Sequence, residues 1–368
     1  MTDHSEYNYD AIVIDTSIFI ANGLKLEKGA LDKMNQFKNS KIKYILPTVI
    51  KDELKNKLIN KAKLVRSSLD KSIKDANDYL FLVGSELDRE KINLIEESLI
   101  DKIVTERIQK FIDNTGALVL DCGEYASISE VLDRYFKNLP PFKETGNKKN
   151  EFPDAIALIA VNKWAEKNAK EVLIVSKDKD WEEFCPEHNF LGYENDLVEA
   201  LNLFHNEINL TDKISKYITD DKLSVFLDKI KSRLSDIIND LSPDINVESS
   251  HYWELDYCTN QLLDVSFSNN IVTIADKNED TITIGFNMNI SVDFEGEFSF
   301  SYEDLVDKDY VKIGSFTKNK TENFISKVLV TISNYDNLEP SEFIIEDVEI
   351  VNRIDAVYFG WIEPSYDL

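Results

Sequence analysis

Four segments of this sequence place carboxylates where a short apolar run gives way to a turn or a helix start. Asp15 closes the run in IVIDTSIF, and Asp178 and Asp180 follow the run ending at Ser176 in IVSKDKDW. Glu53 falls within the first two turns of a helix that Thr48 can cap, and Asp154 follows Pro153, a residue suited to a first helical turn. Carboxylates gathered this way repel one another and raise their own pKa values unless divalent cations offset the charge. Oxygen-only ligation points to Mg2+ or Mn2+. Such a centre can polarise a phosphodiester, hold a bound water as hydroxide and neutralise the leaving oxygen, so hydrolysis of a phosphodiester is the natural reaction class. Singly, an Asp after a strand is usually a turn former or a helix N-cap. An acid at the end of several successive strand-to-helix crossings is much harder to obtain by chance.

The elements that must position these acids are legible from periodicity. Ala11 to Ile14, Ile42 to Leu46, Ala117 to Leu120 and Val172 to Val175 are near-continuously apolar, as strands buried on both faces should be, and Phe190 to Tyr193 offers a fifth. Between them Leu54, Leu58, Ala62, Val65, Leu69, Ile73 and Ala76 advance by three or four, the spacing of one helix face. Ile92, Ile95, Leu99 and Ile103 repeat the period toward a helix end at Gly116. Alternating strands and helices predict βαβ units and a parallel sheet, with the acids at its carboxyl edge, where ligands bind in open α/β sheets.

From Leu210 to Leu241 an amphipathic pattern stops at Ser242-Pro243, and beyond it the period changes to two, most clearly from Thr281 to Phe294 and Glu297 to Tyr302 across Gly296. Val328 to Ile332, Phe343 to Ile350 and Ala356 to Ile362 predict further strands. The expected organisation is a three-layer parallel-sheet α/β domain over residues 1–208, a helical connector over 209–245 and a mainly antiparallel β domain over 246–368. Tyr252, Trp253, Tyr257, Tyr358 and Trp361 could stack on bases, but aromatics on alternating strands are core residues by default.

Composition narrows the field. The 368 residues carry 43% apolar and 30% charged side chains, an ordinary globular balance. Three scattered cysteines and four histidines without HExxH spacing argue against a disulfide framework and a zinc site. No GxxxxGK[ST] loop occurs, and nothing suggests a leader or membrane span, so a cytoplasmic protein is expected. The net charge of −26 sits uneasily with phosphate binding, but 13 basic and 31 acidic residues from Thr211 onward account for −18 of it. Lys143, Lys148 and Lys149, in a loop before Asp154, could meet substrate phosphates. Lys55, Lys57, Lys61, Lys63 and Arg66 spread over several faces of one helix and read as solvated surface.

IVIDTSIFI, PTVIKDEL, EFPDAIALIA and IVSKDKDW, in this order, resemble the motifs of PIN-domain nucleases over about residues 10 to 200. PPFKETGNKKNEFPDA looks more like the larger bacterial PIN-like proteins than the small toxins of toxin–antitoxin pairs. The resemblance implies that Asp15, Glu53, Asp154 and Asp178 are metal-binding acids and that Asp180 is auxiliary. Thr16 or Ser17 would steady the first acid and its metal-bound water, with Ser176 beside them. It further implies an endoribonuclease, RNA being a better expectation than DNA, with a toxin or anti-phage role by analogy, and a homodimer. The C-terminal β domain is expected to pack on the nuclease, restrain it, or bind a regulatory protein partner. The other readings are a structure-specific DNA nuclease and a catalytically silent RNA- or protein-binding scaffold. The stretch of about a hundred residues between Glu53 and Asp154 is longer than in a minimal PIN domain.

Overall fold

The computed structural model describes residues 9–80, 97–142, 151–205, 208–219, 223–303, 310–335 and 342–364. The chain divides into two compact units, Met1–Phe204 and His205–Leu368.

The first unit is built on five parallel strands, β1 (Ala11–Ile14), β2 (Lys43–Pro47), β3 (Leu118–Leu120), β4 (Val172–Val175) and β5 (Leu191–Glu194), in the order β3-β2-β1-β4-β5. Every residue of β1 and β4 is buried, although successive side chains point to opposite faces, so both faces of the sheet are covered. The expected strands are thus found within a residue or so of their expected bounds. The chain lays down β1, β2 and β3 in one direction and then returns past β1 to β4 and β5, making the β1–β4 gap the switch point of the sheet.

The helices in chain order are α1 (Thr16–Ala21), α2 (Gly29–Asp32), α3 (Thr48–Leu80), α4 (Glu97–Thr115), α5 (Cys122–Tyr125), α6 (Ile128–Lys137), α7 (Phe152–Asn168), α8 (Lys179–Phe184) and α9 (Leu197–Asn202). Helix α3 starts directly from β2, which is how Glu53 comes to lie near the sheet edge. Gly116 ends α4 with φ +65°, and a Cβ there would stand 2.9 Å from Lys38 Cα, so the turn into β3 requires glycine.

The second unit carries a four-stranded antiparallel sheet, ordered β10-β9-β8-β7, from β7 (Tyr252–Lys277), β8 (Thr281–Glu303), β9 (Tyr310–Ser333) and β10 (Ile344–Ile350). A parallel pair, β6 (Asp244–Glu248) with β11 (Ala356–Trp361), completes it. Strand β8 runs unbroken through Gly296, where a Cβ would meet the Phe298 ring at 2.9 Å and Phe359 at 3.3 Å. The bare backbone there lets Phe359 of β11 pack on Phe298, their centroids 5.3 Å apart.

The segment read above as a connector is, in the structure, cover for this sheet. Helices α10 (Ile208–Thr219) and α11 (Ser224–Asn239) pack on β7, and Phe226, Ile230, Leu234 and Ile238, spaced by four, lie buried in its core. The default core reading of the aromatics fails for most of them. Trp253 packs against the core, but Tyr252, Tyr257, Tyr358 and Trp361 are exposed. Tyr257 stands opposite Glu297 on the wet face, just past a register shift in β7, and a second shift separates Tyr358 from Trp361.

Candidate metal centre

Register sets the centre. Ile14 pairs with Val175, so Asp15 and Ser176 leave the sheet side by side, and the Asp15 N–H donates to the Val175 carbonyl at 2.9 Å. Asp15 is the N-cap of α1 and buried: its carboxylate accepts from Thr16 N at 2.5 Å, Ser17 N at 3.1 Å, Ser17 Oγ at 2.5 Å and Ser176 Oγ at 2.9 Å. Burial pushes its pKa up, opposed by the hydrogen bonds from Ser17 and Ser176.

Thr16 Oγ1 donates to Glu53 Oε2 at 2.6 Å, tying the second acid to the loop that carries the first. Asp52, its neighbour, is exposed. Asp178 caps α8, accepting from Asp180 N at 2.8 Å, while its own N–H donates to Ser176 Oγ at 3.0 Å. Ser176 is held in turn by Tyr193, whose hydroxyl donates to its carbonyl at 2.7 Å. The structure therefore gives Thr16, Ser17 and Ser176 distinct tasks: Thr16 aligns Glu53, and the two serines clamp Asp15.

Asp154 sits in the first turn of α7 and accepts from Trp181 Nε1 at 2.8 Å. Its pKa is pushed up to about 8, foremost by burial; the Trp181 hydrogen bond opposes this, and the charges of Asp15, Glu53 and Asp178 add to it. That all three acids act on Asp154 shows that four chain segments bring carboxylates to one place. A buried carboxyl that keeps its proton at neutral pH with three other acids beside it marks a site suited to a cation.

Two participants were not legible in the sequence. Glu151, at the N-cap of α7, brings a carboxylate oxygen within 4.8 Å of oxygens from Asp178 and Asp180, a spacing that one metal ion can bridge. Nothing but its position three residues before Asp154 could have drawn attention to it. Trp181 belongs to a quoted motif, but its hydrogen bond to Asp154 depends on the packing of α8 against α7. Lys143, Lys148 and Lys149 lie outside the described residues.

Residues 12–181 match the family model of the PIN domain. The N-terminal unit is a PIN domain. Neither the curated proteins nor the solved structures offer a match to the chain. PIN domains are metal-dependent nucleases, hydrolases that act on nucleic acid with a divalent cation, and the all-oxygen donor set at this sheet edge suits such an ion. Among the described residues, no helix is long and apolar enough to cross a membrane.

Proposed function

We propose that this protein is a Mg2+- or Mn2+-dependent endoribonuclease whose cations are held by Asp15, Glu53, Asp154 and Asp178, with Asp180 and Glu151 as auxiliary donors. The observation that carries the reading is that Asp154, its pKa pushed up to about 8 foremost by burial, also feels the charges of Asp15, Glu53 and Asp178 from three other segments of the chain. When bound, the cation supplies Lewis-acid stabilisation of the phosphate and a water of lowered pKa. The chain supplies the geometry. Ser17 and Ser176 fix Asp15, Thr16 fixes Glu53, and Trp181 fixes Asp154, so the donors need little reorganisation when the ion arrives.

RNA is the preferred substrate on the habit of the family, and a toxin or anti-phage effector is the biological setting we favour by the same analogy. The C-terminal unit, carrying most of the chain's net negative charge, suits a regulatory protein contact better than a second nucleic-acid surface.

The test is cleavage of labelled total RNA, single-stranded DNA and duplex DNA by wild type and Asp154→Asn, with Mg2+, Mn2+ or EDTA. Metal-dependent RNA cleavage that Asp154→Asn abolishes is expected. Cutting confined to DNA would replace the ribonuclease reading with a DNA nuclease, and silence on every substrate would make the unit a binding scaffold.

A further inference from the structure

Helix α6 carries an apolar stripe on its outer side: Ile128, Leu132 and Phe136, spaced by four, are 78%, 40% and 76% exposed. A contiguous apolar stripe of this kind, unlike a single exposed side chain, marks a binding surface. The Phe136 ring stands edge-on to Tyr135 at 5.2 Å, and Tyr135 lies tilted over Phe152 at 5.2 Å. Both rings rest on buried Phe142, at 5.4 Å from Tyr135 and 5.1 Å from Phe152. Phe152 begins α7 two residues before Asp154. A rigid row of rings thus leads from the solvent to the acidic centre.

The direction of the stripe singles out its Phe136 end. Glu130 pairs with Lys163 at 3.7 Å while Tyr135 meets Phe152, so α6 runs antiparallel to α7, with Phe136 at the Asp154 end and Ile128 away from it. Among the described residues, phosphate has little to hold there. The last turn of α6 is the negative end of the helix dipole, and its cations are engaged, Arg134 with Glu187 at 2.6 Å and Lys137 with Asp133 at 2.7 Å. An aromatic surface whose described cations are already paired, next to a phosphodiester-cleaving site, suits the face of a base, which a chain presents only where it is unpaired.

We propose that Phe136, backed by Tyr135 and Phe152, is a stacking platform for an unpaired base of a single-stranded substrate whose scissile phosphate lies at the acids. This inference rests on the nuclease reading and names the substrate class of that site as single-stranded nucleic acid.

The test measures affinity by fluorescence anisotropy in Mn2+, in an Asp154→Asn background that prevents turnover, for a labelled single-stranded RNA, the DNA of the same sequence, and the blunt duplex of each. Cleavage by the protein with Asp154 intact runs alongside. Phe136→Leu, which keeps an apolar side chain but removes the ring, is expected to weaken single-strand binding by about 5- to 150-fold, the worth of one stacked base, and to leave duplex binding unchanged. Phe136→Trp is expected to restore it. Unequal losses for RNA and DNA would tell which strand the platform serves.

Single-strand affinity unchanged in Phe136→Leu, or an equal loss on duplex, overturns the platform while the nuclease reading stands if the intact protein still cuts. A change in oligomeric mass on Phe136→Leu with unchanged affinity assigns the stripe to a protein contact and overturns the platform as well. Absence of both binding and cleavage removes both readings; Phe136-dependent binding without cleavage removes only the nuclease.

Discussion

Asp154→Asn should make the metal-free PIN unit more stable, and increasingly so as the pH rises. The Asp154 carboxyl titrates near 8 in the fold and near 3.8 without it, so between those values the folded chain holds a proton that the unfolded chain has released. Stability from this group is complete below about pH 4 and is lost as the pH climbs to 8. Taken whole, that interval corresponds to about 6 kcal/mol. Asp154 is only partly enclosed, and water at the rim screens the crowded charges, which brings the expected effect to about 2–4 kcal/mol at pH 8.5 and under about 1 kcal/mol at pH 5. Asparagine never ionises and keeps a carbonyl oxygen to accept from Trp181 Nε1, so it removes the repulsion without removing the hydrogen bond. Hydrogen exchange of the β1 and β4 amides in EDTA, corrected for the intrinsic pH dependence of exchange, reads the stability of this unit alone. With Mn2+ at a hundred times its dissociation constant the gap narrows by the ~2.7 kcal/mol that only the wild type gains. A variant no more stable than wild type at pH 8.5 in EDTA, or a gap of equal size at pH 5, would refute the reasoning.

Two further substitutions probe how the centre and its scaffold are held. Trp181→Phe keeps the packing ring but removes the donor to Asp154; cleavage at pH 7 should fall by about 10- to 100-fold, and the acid limb of the pH–rate profile should move to higher pH, since that hydrogen bond lowers the Asp154 pKa. A merely loosened fold would lower the rate without moving the limb. Gly116→Ala should destabilise the PIN unit by about 1–3 kcal/mol in urea unfolding, because the residue holds φ +65° and its Cβ would press on the Lys38 backbone at 2.9 Å; an unchanged midpoint would show that the turn relaxes freely.

What was legible in the sequence follows from which signals are local. Strands β1 and β4 are buried on both faces, so each appears as an unbroken apolar run and needs no knowledge of its neighbours. Asp15 and Asp178 are legible because each follows such a run directly. Strand β7 was hidden for the opposite reason. It pairs with β8 across four register shifts, and every shift moves the apolar set from one face to the other, so the period-two pattern never persists over its 26 residues. The same shifts explain why Tyr257 could not be assigned to core or solvent before its partner, Glu297, was known. Glu151 and the Trp181 hydrogen bond were out of reach because both depend on where α7 lies relative to the loop after β4.

The choice between a helix cap and a metal ligand, which looks exclusive in the sequence, dissolves in the structure. Asp15 and Asp178 are both N-caps, and the backbone N–H groups they satisfy fix their rotamers without using all their lone pairs. On Asp15, Oδ2 takes three of the donors while Oδ1 takes Thr16 N alone. Among the described contacts, Asp178 uses Oδ1 for its cap, Asp154 uses Oδ1 for Trp181 and Glu53 uses Oε2 for Thr16. Asp178, Asp154 and Glu53 are thus each anchored through one oxygen with the other to offer, while Asp15 is held through both, Oδ1 by a single donor. Anchoring matters because four unrestrained carboxylates would relieve their repulsion by swinging into solvent. Held by caps and hydroxyls they cannot, and burial, with the repulsion added to it, keeps a proton on Asp154 that an arriving cation must displace. Two caps, a threonine hydroxyl and an indole N–H are therefore what make four acids a preorganised site.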